Sequence, residues 1–318
     1  MAQLVSVVVP AYQAVDSLPE LMESIWGQTV VPQEIIVVDD HSSDNTEELA
    51  RELGATVVRL SKNGGPGPAR NAGVETASGE ILMFTDSDCV VPRDWIEVAL
   101  AFMKKYDVEA TTSGYIGPVD NNLTSWFQHW EKRSREPVEP RPIGATNGHS
   151  LAIDKKLYQR VGGMPNIRTS EDYLFGIRLS FISTVTFDPN NGVYHKFRSG
   201  VIGYFRQKYL FAKNSTLCIR ENNSSSRARA TFSSYRVLWE MLLTLLAIGV
   251  VFFSIWITLV LLAIRVAPFW VYLSKQQREK VPFALFLYSI PMLIVRDVAS
   301  LVGMFSALIL FCAGNRIQ

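Results

Sequence analysis

The 318-residue sequence predicts an α/β protein, with a mixed, mainly parallel sheet flanked by helices and followed by C-terminal membrane helices. Three observations lead there. Short apolar runs alternate with helical patterns through the first half, as βαβ units do. Polar clusters, Pro10-Ala11-Tyr12, Asp39-Asp40 and Asp86-Ser87-Asp88, follow three of those runs. Residues 241–264 then supply 24 positions without a charge, enough to cross a hydrocarbon core that is about 30 Å thick.

Residues 5–9 read as a buried strand closed by Pro10. Residues 17–28 carry Leu18, Leu21, Met22 and Ile25 at helical spacing. Residues 34–38 form the next strand, with Asp39-Asp40 at its carboxyl end. Asp44 or Asn45 can cap a helix that runs to Leu53, and Gly54 is its stop signal. A third strand covers residues 56–60. The glycine- and proline-rich loop 63–68 leads into a short helix with Ala69-Arg70-Asn71-Ala72-Gly73, and residues 81–84 are the fourth strand. Further on, Leu123, Trp126, Phe127 and Trp130 form a helical stripe.

Residues 1–221 are expected to form a soluble domain, 222–236 a basic juxtamembrane linker, and 237–318 a membrane region. That last region is read as one or two spans plus interfacial or re-entrant helices. Pro282, Pro291 and Arg296-Asp297 interrupt the apolar stretch 281–313, which is read as a second crossing, with a pair of interfacial or re-entrant helices as the competing reading. Arg265, Lys275, Arg278 and Lys280 conflict with the positive-inside rule if their loop faces outward. Folding residues 237–273 back as a hairpin would keep that loop cytosolic.

The net charge of +1 hides an uneven distribution, with nine Lys or Arg and one acid, Glu221, between Lys196 and Arg236. Near an anionic leaflet such residues contribute about 1 kcal/mol each. The adjoining membrane span argues against nucleic acid as the partner. Cys89, Cys218 and Cys312 lie far apart without metal spacing, which fits a reducing compartment. The opening apolar stretch is short and has no basic lead, so the first domain is expected in the cytosol.

Asp86-Ser87-Asp88 carries the chemistry. Ionised side chains at the end of a buried strand are costly unless a metal or ligand claims them. In an extended chain, residues i and i+2 point the same way, so both carboxylates can face one cation. Magnesium and manganese ions prefer such oxygen ligands. The competing reading is a helix cap. In open α/β sheets ligands sit beyond the carboxyl ends of strands, where all three polar clusters fall.

Six blocks occur in order: residues 5–12, residues 39–44, Asn63-Gly64-Gly65 with Ala69-Arg70-Asn71-Ala72-Gly73, Asp86-Ser87-Asp88, Gly162-Gly163 and Glu171-Asp172. Together they resemble the family 2 glycosyltransferases of the GT-A fold. The resemblance implies transfer of a sugar from a nucleotide-diphosphate donor, most commonly a UDP-sugar, to a saccharide or lipid-linked acceptor. It also implies inversion by direct displacement, Mg²⁺ or Mn²⁺ as cofactor, and a catalytic domain on the cytosolic side of the cytoplasmic membrane.

Residue by residue, the resemblance implies that Asp40 bonds the nucleobase, with Pro10 and Tyr12 lining that pocket. Arg70, Asp86 and Ser87 would hold the nucleotide sugar, although an arginine on a short helix is also commonly exposed. Asp88, with Asp86 and His195, would hold the metal; a lone histidine after a strand is also commonly structural. Asp172 is implied as the base that takes the acceptor's proton, oriented by Glu171, and the dipole at a helix amino terminus favours a charged carboxylate there. Asn147 falls where the family has an acceptor-side loop. The Trp126 and Trp130 stripe is either core-facing or an acceptor-side or membrane-surface feature.

Departures narrow the reading. Gln13 stands where the family usually has asparagine, and only Arg206-Gln207-Lys208-Tyr209 lies near the place of a processive synthase's signature. Processive synthesis is therefore disfavoured. The Glu171-Asp172 pair favours a saccharide or lipid-linked sugar acceptor over a polyprenyl-phosphate synthase. A nucleotidyltransferase would open on a glycine-rich loop with arginine, which is absent here. A non-catalytic nucleotide-binding membrane partner is the remaining alternative.

Overall fold

The apolar runs of the first half become the parallel part of a nine-stranded sheet. β1 (Val5–Ala11) is buried throughout and lies between β2 (Glu34–Asp39) and β4 (Ile81–Phe84), parallel to both, while β3 (Thr56–Arg59) extends the sheet beyond β2. Burial on both faces is why β1, β2 and β4 are continuous apolar runs rather than alternating ones. The computed structural model describes residues 4–167, 169–221, 233–250, 255–275 and 283–312.

Three helices make the crossovers. α1 (Leu18–Trp26) buries Leu18, Leu21, Met22 and Ile25. α2 (Thr46–Glu52) is held at its start by Asp44, whose Oδ1 accepts from the Thr46 amide at 3.2 Å; Asn45 makes no side-chain cap. α3 (Pro66–Thr76) begins inside the stretch read as loop. Proline is tolerated there because a first-turn amide has no intrahelical partner.

Beyond β4 the sheet becomes mixed. β5 (Cys89–Val90) and α4 (Trp95–Tyr106) precede β6 (Ala110–Pro118), α5 (Leu123–Arg133), β7 (Arg141–Ile143) and β8 (Leu151–Asp154). Then follow α6 (Lys155–Val161), α7 (Glu171–Ser180) and β9 (Val185–His195). The strand order is β3-β2-β1-β4-β8-β6-β9-β5, with β7 on β9. β8 runs antiparallel to β4 and β6, whereas β6 and β9 are parallel. Gly162 and Gly163, at φ +85° and +71°, turn the chain out of α6. Val8, Ile36, Leu82, Phe84, Leu151 and Phe175 belong to one buried core.

The chain forms two compact units: Met1–Val119 with Glu136–Lys196, and Asp120–Arg135 with Phe197–Gln318. The division falls at 196/197, earlier than the expected 221/222 boundary, and α5 joins the second unit. Most of the expected linker, residues 222–232, lies outside the described residues.

The second unit contains α5, α8 (Gly200–Glu221), α9 (Ser233–Val250), α10 (Ile255–Lys275) and α11 (Phe283–Cys312). One expectation and one competing reading are set aside there. Residues 241–264 do not form one span: α9 and α10 are separate helices that pack on each other, with Thr258 Oγ1 donating to the Ala247 carbonyl at 3.5 Å. Among the described residues, two helices are long and apolar enough to cross a membrane, and they contain Ile257–Ser274 and Ala284–Ala307. Nor does Arg296-Asp297 break the later stretch into two helices; α11 is a single helix of 30 residues with Pro291 inside it. The charges are tolerated because they are paired. Arg296 reaches Glu240 at 2.6 Å, Asp297 at 2.5 Å and Glu131 at 3.4 Å, and Arg265 reaches Asp297 at 2.7 Å.

Glu131 also receives Lys208 at 2.7 Å and Arg135 at 2.6 Å. Burial opposes the charge on Glu131, but Arg135, Lys208 and Arg296 outweigh it and hold the carboxyl well below the usual range. Around these ions lie Phe127, Trp130, Tyr204, Phe269 and Leu285. Trp130 is thus core-facing in this unit at 3% exposed, while Trp126 is half-buried against the same cluster and bonds Asn121 through its indole nitrogen at 2.8 Å.

Candidate active site

The first unit gathers its acids beyond the ends of β1, β2 and β4. Pro10 is buried in β1, and Tyr12 just beyond is 52% exposed. Asp39 is fully buried, accepting from the Ser42 amide at 3.0 Å and lying 3.0 Å from Arg59. Asp40 is engaged differently from a bare nucleobase ligand. Its two carboxylate oxygens accept the backbone amides of Gly64 and Gly65, each at 2.7 Å. It therefore shapes the glycine loop that opens α3.

Arg70, on α3, is 2% exposed and not a surface residue. Its guanidinium donates to Asp86 Oδ1 at 2.5 Å and to Glu171 Oε1 at 2.7 Å. Burial alone would push the guanidinium down, but Asp86, Glu171 and Asp172 raise it, so it stays charged. Desolvation pushes up the carboxyls of Asp86, a third exposed, and of buried Glu171, with Asp88 and Asp172 adding repulsion against the pull of Arg70.

Asp86-Ser87-Asp88 is a turn rather than the extended segment the alternation suggested, closed by the Cys89 amide donating to the Asp86 carbonyl at 3.0 Å. The carboxylates consequently meet different partners. Asp86 turns to Arg70, and Asp88 Oδ1 lies 3.4 Å from His195 Nε2. His195 is delivered by β9, where it pairs with Cys89 of β5 across the antiparallel ladder. Donor atoms of Asp88, Cys89 and His195 all lie within 4.8 Å of one another. Burial, with the charges of Asp88 and Asp86, pushes the Cys89 thiol well up, leaving a carboxylate and an imidazole as the ready donors. That pair, completed by diphosphate oxygens, fits Mn²⁺ or Mg²⁺.

On the opposite side of Arg70, Glu171 and Asp172 form the first turn of α7. Asp172 Oδ2 accepts the Gly148 amide at 2.9 Å and Oδ1 its neighbour's, Tyr173, at 2.7 Å. Thr146 Oγ1 donates to the Asp172 carbonyl at 2.6 Å. Asn147 secures the same loop: its amide donates to Thr112 Oγ1 at 3.0 Å and its side chain to the Ser113 carbonyl at 2.9 Å.

Two residues without a sequence signal complete the centre. Tyr115 of β6 stacks on His149 with ring centroids 3.9 Å apart, and its ring lies 4.7 Å from that of His195. Tyr115, His149 and Arg59 belong to no short motif, and only the fold brings them to these acids. Trp126 and Trp130 are in the other unit.

A family model described as glycosyl transferase family 2 matches residues 6–162. The putative teichuronic acid biosynthesis glycosyltransferase TuaG of Bacillus subtilis (strain 168) is 30% identical over 177 residues, covering 53% of this chain and 69% of that protein. The chain belongs to glycosyl transferase family 2. Another family relative, the uncharacterized glycosyltransferase YwdF of the same organism, is 29% identical over 204 residues, which are 63% of this chain. The match spans 61% of YwdF and 44% of a third relative, GlyG of Streptococcus pneumoniae.

Solved structures share the GT-A fold of this family 2 member. Mannosyltransferase PcManGT from Pyrobaculum calidifontis, in complex with GDP-Man and Mn²⁺, aligns with a TM-score of 0.59 at 18% identity, covering 95% of this chain and 88% of that one. TarS 1-349 from S. aureus aligns at 0.53 with 18% identity, covering 99% and 93%.

Proposed function

We propose that this protein is an inverting glycosyltransferase that moves a sugar from a nucleotide-diphosphate donor, a UDP-sugar, to a saccharide or lipid-linked acceptor at the cytosolic face of the cytoplasmic membrane. One observation carries the reading: Arg70 bridges Asp86, beside the Asp88–His195 pair, to Glu171, beside Asp172. A donor-side acid pair and an acceptor-side acid pair are thereby held in one rigid relation.

In this reading Asp88 and His195 would hold the divalent ion, with Asp86 beside them on Arg70, and the ion would neutralise charge on the departing diphosphate. Pro10, Tyr12 and Asp40 frame the base pocket, Asp40 through the glycine loop it shapes. Asp172 takes the proton of the acceptor hydroxyl, and Gly148 and Tyr173 aim its carboxylate. Glu171, bound to Arg70, fixes the start of α7 and with it the direction of Asp172. Asn147 orders the loop on the acceptor side. TuaG's assignment to teichuronic acid biosynthesis supports a cell-envelope polysaccharide as the product. The apolar helices α10 and α11 and the basic stretch 196–236 support attachment to the membrane.

The test is release of nucleoside diphosphate by the detergent-purified protein, across a panel of nucleotide sugars, with and without Mn²⁺, using a native lipid extract as acceptor. Turnover should need the divalent ion, and Asp172→Asn should lower kcat by roughly 10²–10⁴-fold. Unchanged turnover in Asp172→Asn or Asp88→Ala would overturn the assignments. Transfer to polyprenyl phosphate alone would favour the synthase alternative.

A further inference from the structure

The charged residues of α10 and α11 fall at the middle of their apolar windows. Arg265 is central in Ile257–Ser274, and Arg296-Asp297 is central in Ala284–Ala307. Their acidic partners on other helices come from α5 and α9, and Lys208 of α8 joins them through Glu131. Arg296 and Lys208 share Glu131, at 3.4 and 2.7 Å, and Arg296 and Arg265 share Glu240, at 2.6 and 3.6 Å. Further along, α8 runs against Gly303 of α11, where a Cβ would meet the Lys213 amide at 3.0 Å and Ala212 Cβ at 3.2 Å. Residues 206–213 of α8 therefore run beside residues 296–303 of α11, and Arg206 is exposed there.

A crossing by Ala284–Ala307 would carry this whole assembly to the bilayer centre. Glu131, Lys208, Glu240, Arg265, Arg296 and Asp297 would all sit near the midplane, with Arg206 facing acyl chains. Charged side chains at that depth face a bundle interior or water. The paired ones meet that condition and Arg206 does not. α5 and α8, both rich in polar residues, would have to lie in hydrocarbon as well.

We infer that α11 does not cross the membrane: the second unit is a one-sided bundle set into a single anionic leaflet, with both ends of α11 on the same face. This deepens the membrane attachment proposed above and rests on it. The surface that meets lipid is the outer face of the α9–α10 pair, where Trp239, Leu242, Leu246, Ile257, Val260 and Ile264 are each more than half exposed. Apolar side chains outside and ion pairs inside are the reverse of a water-facing bundle. An interfacial bundle sinks such a face to the acyl boundary and leaves its cations among headgroups. The excess of nine Lys or Arg over one acid between residues 196 and 236 matches an anionic headgroup layer.

The experiment uses the full chain in sealed vesicles of the expression host. With Cys218 and Cys312 replaced by serine, a reporter cysteine is introduced either as Ser274→Cys or appended after Gln318. A membrane-impermeant maleimide is then added before and after detergent. The expected result is the same protection for both reporters, either both labelled in sealed vesicles or both labelled only after detergent. One labelled and the other protected would overturn the one-sided bundle while leaving membrane attachment intact. Recovery of the protein in the soluble fraction, away from vesicles at low salt, would overturn the attachment itself.

Discussion

Gly148 donates its backbone N–H to Asp172 at 2.9 Å while lying so close to Arg70 that a Cβ built on it would sit 2.6 Å from the guanidinium. One glycine thus touches both the proposed base and the arginine that bridges the acid pairs. Gly148→Ala should displace the loop or Arg70 by a few tenths of an ångström or more. Because misplacement of about 1 Å costs on the order of 100-fold in rate, kcat should fall roughly 10- to 100-fold. Steady-state kinetics beside a melting curve checks this; a wild-type kcat would show that the contact does not govern geometry.

Arg70 itself should matter to both stability and turnover. Arg70→Met leaves Glu171 buried without its cation and Asp86, still about a third exposed, beside Asp88. Losing one partner of a buried ion pair costs about 3–5 kcal/mol, and the exposure of Asp86 argues for the lower end. Arg70→Lys keeps the charge but not the fork that reaches two carboxylates. It should recover part of the stability and little of the activity. Denaturant titration of both variants, with kcat measured alongside, separates the two effects, and equal activity in Arg70→Lys and wild type would refute the bridging role.

The parallel half of the fold is legible because β1, β2 and β4 are buried on both faces and must be unbroken apolar runs. β6 and β9 are not: Thr111, Thr112 and Ser113 in one, and Asp188, Asn190 and Asn191 in the other, break any hydrophobic period. The acids of the site are legible as types at strand ends, but their partners are not. Asp40 meets amides 24 and 25 residues away, and Arg70 meets Glu171 across 101 residues. Tyr115 and His149 have no spacing that marks them. The same blindness made Arg296-Asp297 read as an interruption, since Glu131, which helps neutralise Arg296, lies 165 residues earlier in sequence.

Gln13 illustrates a departure with a structural cost. It adopts φ +53°, in the left-handed region, with its amide donating to Ser42 Oγ at 3.0 Å and its side chain to Ser43 Oγ at 2.7 Å. That region costs an ordinary L-residue about 1–2 kcal/mol, and asparagine is several-fold enriched there. Gln13→Asn should therefore stabilise the protein by about 0.5–1 kcal/mol, less whatever the Ser43 bond contributes. A rise in Tm with the donor KM unchanged is the expected result; a fall in Tm would mean that the Ser43 contact outweighs the strain.

His129 gives the second unit a pH dependence of definite sign. It is 2% exposed beside Trp126 and Trp130, and burial, aided by Arg133 and Lys132, pushes its imidazole down to about 3 from an unfolded 6.5. Between those values the unfolded chain binds a proton that the native state refuses. Stability is therefore complete above pH 6.5 and declines as pH falls below it, approaching a slope of about 1.4 kcal/mol per pH unit. Glu131 adds acid lability only below the ordinary glutamate range near 4.5, so between pH 7 and 5.5 it does not mask the histidine. His129→Phe, with a ring but no titrating nitrogen, should flatten the melting temperature across that interval, whereas an unchanged slope would assign the acid sensitivity to other groups.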